Sequence, residues 1–151
     1  MILIATDGSA PARAAEALGL ELARARGSGA AFVCVWAPLR GSFGMPLPEK
    51  LDPEFIDSER TWAEETLEAA SRRAAAAGVQ AETIIAKGPA VQAVCDTAEQ
   101  RRAGLVVIGS HGWGAMMSLI FGSTTLGVLQ HAPCPVVVVR DNPANAAEAP
   151  V

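Results

Sequence analysis

The sequence lacks any apolar run near the roughly 18 residues that a bilayer-spanning helix needs. Its opening residues, Met1 to Asp7, include neither a basic stretch nor a cleavage site typical of a secretory leader. The chain also lacks an excess of positive charge, since its net charge is −4, and nucleic-acid binding depends mainly on basic surface. We therefore expect a soluble cytoplasmic protein that binds neither membranes nor nucleic acid.

Several chemical signatures are absent as well. The cysteines Cys34, Cys95 and Cys134 are far apart and form no CxxC pair, so we interpret them as buried free thiols. The two histidines belong to no Cys/His cluster, and we predict no metal site. No Gly-Lys-Ser/Thr follows a glycine loop, and the first predicted strand carries no GxGxxG. Neither a Walker A loop nor a dinucleotide-binding motif is therefore present.

What the sequence does contain is an alternation of apolar and amphipathic segments. Half of the residues are hydrophobic, which excludes a disordered chain, and 151 residues suit one domain. We predict one domain over residues 1–140 and a disordered tail over 141–151, with a long loop from Pro38 to Pro53. Strands are predicted at Ile2–Thr6, Ala30–Trp36, Ala81–Ala86, Leu105–Ile108 and Pro135–Val139. Helices are predicted at Ser9–Arg26, Pro53–Ala77, Pro89–Gly104 and Ser123–Gln130, with Ala14, Leu18 and Leu22 as the first helix's core face and Phe55, Trp62 and Leu67 as the second's.

Strict alternation of strands and helices favours an α/β fold: a doubly wound, five-stranded parallel sheet with helices on both faces. With right-handed crossovers we predict the strand order 3-2-1-4-5. In such sheets ligands bind beyond the carboxyl ends of the strands, where the strand order reverses. The reversal falls between the first and fourth strands, which end at Asp7 and Gly109.

The most informative motif is Gly109-Ser110-His111-Gly112, followed after nine residues by Gly122-Ser123-Thr124-Thr125. Glycines that leave a buried strand and return at a helix start suggest backbone amides that are free to bind an anion. We expect Gly109 and Gly112 to permit positive φ and close approach of a phosphate. The alternative is that the glycines only form tight turns and Ser123 only caps the helix.

Two side chains beside these glycines have open roles. Asp7 could accept a hydrogen bond from a ribose hydroxyl or an adenine amino group, or it could form an Asx turn at the first helix. It is also the main candidate for holding Mg²⁺ on a phosphate. His111 could donate to a phosphate, although exposed loop histidines are common. The segment from Trp113 to His131 has no Lys or Arg, which argues against an efficient ATPase.

Three segments resemble the universal stress protein family. Ile2-Leu3-Ile4-Ala5-Thr6-Asp7-Gly8-Ser9 is similar to its opening strand and turn, and Gly109-x2-Gly112-x9-Gly122-Ser123 to its nucleotide-loop signature. His131-Ala132-Pro133-Cys134-Pro135 and the four valines that follow are similar to its closing strand. The likeness covers about residues 1 to 140, and the complete signature is that of the nucleotide-binding branch.

The resemblance implies binding of ATP or AMP, with or without Mg²⁺, in a stress-response or signalling module. It implies that Asp7 contacts the adenosine and that the Val35 backbone approaches the adenine. It also implies a homodimer through residues 135–139. The nucleotide-binding residues that it implies are Asp7, Val35, Gly109, Gly112, Gly122, Ser123, Thr124 and Thr125, and we add Thr6 and His111 to the predicted site.

The chain departs from the family where basic residues often follow the second glycine and precede the third. Trp113 and the apolar run Met116–Phe121 stand there, and the run either packs under the loop or faces a partner. Two alternative functions remain: a dimeric scaffold with a degenerate, empty site, and a slow phosphotransferase or ATPase.

Overall fold

The computed structural model describes residues 1–36, 53–112 and 121–141, apart from the side chains of 53–56. Strands and helices alternate along the chain, as predicted. The elements are β1 (Ile2–Ala5), α1 (Ala10–Arg26), β2 (Ala30–Trp36), α2 (Pro53–Ala76), β3 (Ala81–Lys87), α3 (Ala90–Gln100), β4 (Leu105–Gly109), α4 (Ser123–His131) and β5 (Val136–Val139). The predicted Pro38–Pro53 loop (apart from Pro53), the apolar run before Phe121 and the tail after Asp141 lie outside the described residues.

The five strands form one parallel sheet in the order β3-β2-β1-β4-β5, which confirms the predicted topology. Central strand β1 pairs with β2 on one side and with β4 on the other. Ala5 at the end of β1 lies opposite both Val33 and Ile108. The carboxyl ends of these three strands therefore meet at one edge, where the chain reverses the direction in which it adds strands.

Both faces of the sheet are covered by helices, because the inner strands are apolar on both sides. On one face Ile4, Phe32 and Val107 pack with residues of α1 and α2, such as Leu20 and Leu67. On the other face the core consists of strand residues together with residues of α3 and α4: Leu3, Val33, Val106, Ile108, Val94, Ala98 and Val128. The edge strand β5 is only half-buried along its four valines.

The predicted core face of α1 is wrong by about one residue. Ala14, Leu18 and Leu22 are only half-buried. The buried residues are Ala12, Ala15, Glu16, Gly19, Leu20 and Ala23. The buried stripe is made of small residues that let the helix approach the sheet, since a β-carbon at Gly19 would lie 2.6 Å from Cδ1 of Ile4. The periodicity of apolar residues could not predict that Glu16, a charged residue, is among these buried positions.

The helix termini mostly follow the sequence signals. Ser9 is the N-cap of α1 and accepts a hydrogen bond from the Ala12 amide at 3.4 Å, and Gly27 ends that helix with φ 58°. Helix α3 ends earlier than predicted, at Gln100 rather than at Gly104. The chain turns there through Arg102, whose φ is 50°, so the helix ends without a glycine.

None of the three cysteines forms a disulfide, as predicted, but only Cys34 is buried. Cys95 and Cys134 are half-buried, so their predicted full burial is wrong. Partial burial raises the pKa of both thiols above the ordinary value. In the described part of the chain, no helix combines the length and apolar character needed to cross a membrane.

Candidate functional site

The candidate site lies at the carboxyl edge of the sheet, where β1 and β4 are neighbours. The turn Thr6–Ser9 leaves β1 and leads into α1. Residues 110–112 leave β4, and the chain returns at Gly122 to begin α4. The structure therefore brings together the two sequence segments that we had singled out, Asp7 and the glycine motif.

The turn after β1 is held by its own polar groups. Gly8 has a φ of +76°, a conformation that favours glycine. Its amide donates to Oγ1 of Thr6 at 3.2 Å, and the Ser9 amide donates to Oδ1 of Asp7 at 3.0 Å. The Asx-turn role of Asp7 is thus present. The second carboxylate oxygen, Oδ2, faces Gly112, so one residue can hold the turn and still border the crevice.

Gly109 and Gly112 allow close approach between segments, and not the positive φ that we predicted. Neither they nor Gly122 has a φ in the left-handed region. A β-carbon at Gly109 would lie 2.7 Å from the backbone carbon of Pro11, and one at Gly112 would overlap the carboxylate of Asp7. The glycines thus bring β4 and its following turn against the start of α1, and part of the tight-packing alternative is correct.

The amino end of α4 is anchored to the end of β4. The Gly122 amide donates to the Ser110 carbonyl at 2.8 Å. The buried hydroxyl of Thr125 donates to the Gly109 carbonyl at 2.8 Å and to the Ser110 carbonyl at 3.3 Å. Thr125 therefore holds the helix in place, and its hydroxyl hydrogen points toward the strand.

Gly122, and not Ser123, is the N-cap of α4. Its φ of −69° and ψ of 157° are the usual cap geometry, and glycine has no side chain with which to cap the helix. Ser123 is the first helical residue and is exposed, while Thr124 is half-buried. The first amides of a helix have no partner within it. The positive end of the α4 dipole faces the carboxyl edge of the sheet. No acidic residue in the first turn of α4 neutralises this partial charge.

Two further predicted residues, His111 and Val35, lie at the carboxyl ends of different strands: the first follows β4 and the second is near the end of β2. Half-buried His111 has its Nδ1 3.1 Å from Oγ of Ser110. Ser110 itself is buried, and its amide donates to the Val139 carbonyl at 2.7 Å. Val35 lies near the end of β2, opposite Ala86 of β3, and its half-buried side chain packs against the core on the α3 side.

A buried polar chain behind the Asp7 turn was not predicted from the sequence. Oγ1 of Thr6 donates to Oε1 of Glu16 at 2.5 Å, and both residues are buried. Oε2 of Glu16 accepts from Nε of Arg73 at 2.6 Å. Glu16 and Arg73 are 57 residues apart, and the only signal in the sequence was a carboxylate beside the apolar positions of α1.

No group of three or more metal-binding side chains occurs among residues 1–36, 53–112 and 121–141. The positive side chain closest in sequence to the Asp7 turn is the exposed Arg13, whose Nη1 donates to the Gly8 carbonyl at 2.8 Å. The chain between Trp113 and Gln130 contributes no Lys or Arg. The arrangement suits an anion of low charge that is held mainly by backbone amides.

Comparison with known proteins places this arrangement among relatives. The model of the universal stress protein family matches residues 1–140. A universal stress protein of Thermus aquaticus is 33% identical over 141 residues, which are 92% of this chain and 97% of that protein. Among solved structures, the universal stress protein UspA from Lactobacillus plantarum superposes with a TM-score of 0.80 at 26% identity, over 92% of this chain and 96% of that one.

A universal stress protein solved in complex with cAMP has the same fold, with a TM-score of 0.71 and 21% identity, over 93% of this chain and 97% of that one. The family model covers nearly the whole chain, and the fold agrees with that of the solved UspA structure. The chain belongs to the universal stress protein family.

Proposed function

We propose that this protein is a nucleotide-binding module that holds an adenosine nucleotide in the crevice between β1 and β4. In this proposal Asp7 accepts from the ribose, and the backbone near Val35 approaches the adenine. The phosphate lies against Gly109, Gly112 and the helix start at Gly122, Ser123 and Thr124, with His111 at its side. Thr6 and Thr125 position these groups from behind.

The observation that carries the proposal is the amino end of α4 opposite the Asp7 turn. The helix begins at Gly122 with no side-chain cap, and it has no acidic residue in its first turn. The first amides of a helix have no partner within it, and together with the helix dipole, equivalent to about half a positive charge, they favour an anion there. Across the crevice the Asp7 carboxylate is a hydrogen-bond acceptor for hydroxyl groups. A nucleotide has both kinds of group, a phosphate and a ribose, joined at a short distance.

Solved proteins of the same fold support the choice of ligand. One is in complex with cAMP, one from Archaeoglobus fulgidus is in complex with dAMP, and one from Arabidopsis thaliana has AMP bound. Their identities to this chain are 21%, 22% and 19%. The ligand is therefore transferred here only on the strength of the site geometry.

We further propose that the site prefers a monophosphate to a triphosphate. Each added phosphate brings negative charge, whereas the segment from Trp113 to Gln130 supplies no Lys or Arg. Backbone amides and a fractional helix charge are enough for one phosphate group. Extended phosphates normally need cations or a metal ion, and efficient hydrolysis needs them as well. Little or no ATP hydrolysis is expected, and release of inorganic phosphate would measure it.

Isothermal titration with AMP, cAMP, ADP and ATP, each with and without Mg²⁺, tests the proposal. We expect AMP to bind at least as tightly as ATP, and GMP to bind weakly. Absence of heat with every adenine nucleotide at high protein concentration would refute nucleotide binding. It would favour the alternative of a scaffold with an empty site.

A matched pair of variants locates the ribose. Asp7→Asn keeps an oxygen that accepts from the Ser9 amide, so the turn remains, but it removes the charged acceptor. We expect AMP affinity to fall about three- to tenfold, the value of one hydrogen bond. Asp57→Asn makes the same change on the exposed surface of α2 and should leave affinity unchanged.

The edge strand β5 supports a second proposal, that the chain forms a homodimer through residues 135–139. All four residues of Val136–Val139 are apolar, yet they are only half-buried in the single chain. An apolar strand at a sheet edge readily pairs with another strand. Sedimentation velocity should show a dimer, and Val138→Lys should convert it to a monomer; a native monomer at high concentration would refute this.

A further inference from the structure

The carboxylate of Glu16, a residue of α1, is almost completely buried. The side chain of Glu16 is 1% exposed, and it contacts two partners from different parts of the chain. Oε1 accepts from the Thr6 hydroxyl at 2.5 Å. Oε2 accepts from Nε of Arg73 and lies 2.6 Å from its Nη2, while the arginine side chain remains 40% exposed.

Stability alone is a weak reason for this arrangement. Removing a carboxylate and a guanidinium from water costs about as much as their attraction returns. Apolar residues of similar size in such places often give an equally stable or a more stable protein. The position of the carboxylate is more informative, because Glu16 bonds to the residue that joins β1 to the Asp7 turn.

The hydrogen bond to Glu16 sets the orientation of the Thr6 hydroxyl. A hydroxyl has one hydrogen to donate, and here that hydrogen goes to Oε1. The oxygen lone pairs are then free to accept, and the Gly8 amide donates to them at 3.2 Å. Behind this contact, the side chain of Thr66 on α2 lies 3.5 Å from where a β-carbon of Gly8 would be.

The orientation of Gly8 in turn determines where the Asp7 carboxylate lies. Gly8 occupies φ +76°, and the next amide, of Ser9, donates to Oδ1 of Asp7. Oδ2 then lies against Gly112, in the turn that follows β4. A continuous series of contacts thus runs from the surface of α2 to the site.

We propose that Glu16 and Arg73 are positioning residues: through the Thr6 hydroxyl they hold the Asp7 turn in the geometry that receives a nucleotide. This inference rests on the proposed function. According to this inference, the Glu16–Arg73 ion pair controls the geometry of the ribose side of the crevice, although neither residue contacts the ligand.

The first test removes the ion pair without unfolding the chain. In the double variant Glu16→Leu/Arg73→Met the net charge is unchanged and apolar groups fill the space. The control Glu68→Gln/Arg72→Gln removes an exposed pair on α2, whose atoms are 2.6 Å apart in the structure. Titration with AMP measures affinity, thermal melting measures stability, and NMR hydrogen exchange measures protection of the Gly8 amide.

We expect the double variant to stay folded with a lower melting temperature, because the buried Thr6 hydroxyl loses its acceptor, and to bind AMP about three- to tenfold more weakly, the range for one lost hydrogen bond. Its Gly8 amide should exchange faster, and the control pair should change neither quantity. Native affinity with native Gly8 exchange would overturn the inference. Weaker affinity with unchanged Gly8 exchange would overturn it too, since the effect would then travel by another route.

A second pair of variants separates the hydroxyl from the bulk of Thr6. Thr6→Val keeps the shape and removes the donor, and we expect it to lose Gly8 protection together with AMP affinity. Thr6→Ser restores the hydroxyl and should recover most of both. If Thr6→Val keeps native Gly8 exchange, the inference is wrong. If the native protein binds no AMP, the proposed function fails, while Gly8 exchange still decides whether Glu16 sets the turn.

Discussion

Placing a carboxylate at Gly122 should strengthen α4 and at the same time abolish nucleotide binding. Gly122 already has N-cap geometry, with φ −69° and ψ 157°, which an aspartate adopts without strain. A β-carbon there would have 3.5 Å to the nearest atom, Cα of His111, which is ordinary contact. In Gly122→Asp the new carboxylate can accept from the first-turn amides and so occupy the proposed phosphate position.

The two effects have calculable sizes. Aspartate at an N-cap exceeds glycine by a few tenths of a kcal/mol, and a negative charge at a helix start adds about 0.3–1 kcal/mol. The free energy of unfolding should therefore rise by about 0.5–1 kcal/mol. AMP must displace the carboxylate and also meets its charge, so affinity should fall more than about tenfold, equivalent to about 1.4 kcal/mol.

Chemical denaturation and AMP titration on the same samples measure both quantities. Gly122→Ala is the control, because alanine adds the β-carbon without a capping group. It should lose about 0.5–1 kcal/mol of stability and lose less AMP affinity than Gly122→Asp, because it adds neither a charge nor a group that occupies the first-turn amides. If Gly122→Asp binds AMP as tightly as the native protein, the amides of α4 are not the phosphate site, and the placement of the ligand is wrong.

Three other changes test separate parts of the structure. Gly112→Ala should weaken AMP binding, because its β-carbon would overlap the Asp7 carboxylate, and unchanged affinity would show that this contact is unimportant. Thr125→Val should lower the free energy of unfolding by about 1–3 kcal/mol, because the carbonyls of Gly109 and Ser110 lose their hydroxyl donor. A native free energy of unfolding, measured by chemical denaturation, would contradict this. Cys95 and Cys134 should react with iodoacetamide at pH 8 more slowly than a free cysteine, because burial raises the pKa of both thiols and less thiolate is present; equal rates would count against it.

The order of the sheet could be predicted because each strand and helix carries its own local pattern. Runs such as Leu105–Ile108 are buried on both faces, and the alternation of elements leaves few right-handed arrangements. Asp7 and Gly109 were placed together for the same reason, since they end strands that the predicted order makes neighbours. The structure confirms that order and that neighbourhood.

Other features depended on contacts between distant segments. The sequence shows where a glycine stands but not why a side chain is excluded there. Gly109 was predicted to permit a positive φ and the approach of a phosphate, whereas in the structure it admits the backbone of Pro11. No role was predicted for Glu16, and only its pairing with Thr6 and Arg73 explains why this carboxylate is buried. The core face of α1 was predicted from the spacing of apolar residues alone, which cannot identify a buried charged residue such as Glu16, and the prediction was wrong.

The hydrogen bond from the Gly122 amide to the Ser110 carbonyl has an evolutionary consequence. It joins the chain that leaves β4 to the chain that enters α4. The entropic cost of joining these two points through a longer segment grows only slowly with the number of residues in it. Residues added or deleted between Ser110 and Gly122 should therefore leave the start of α4 in place.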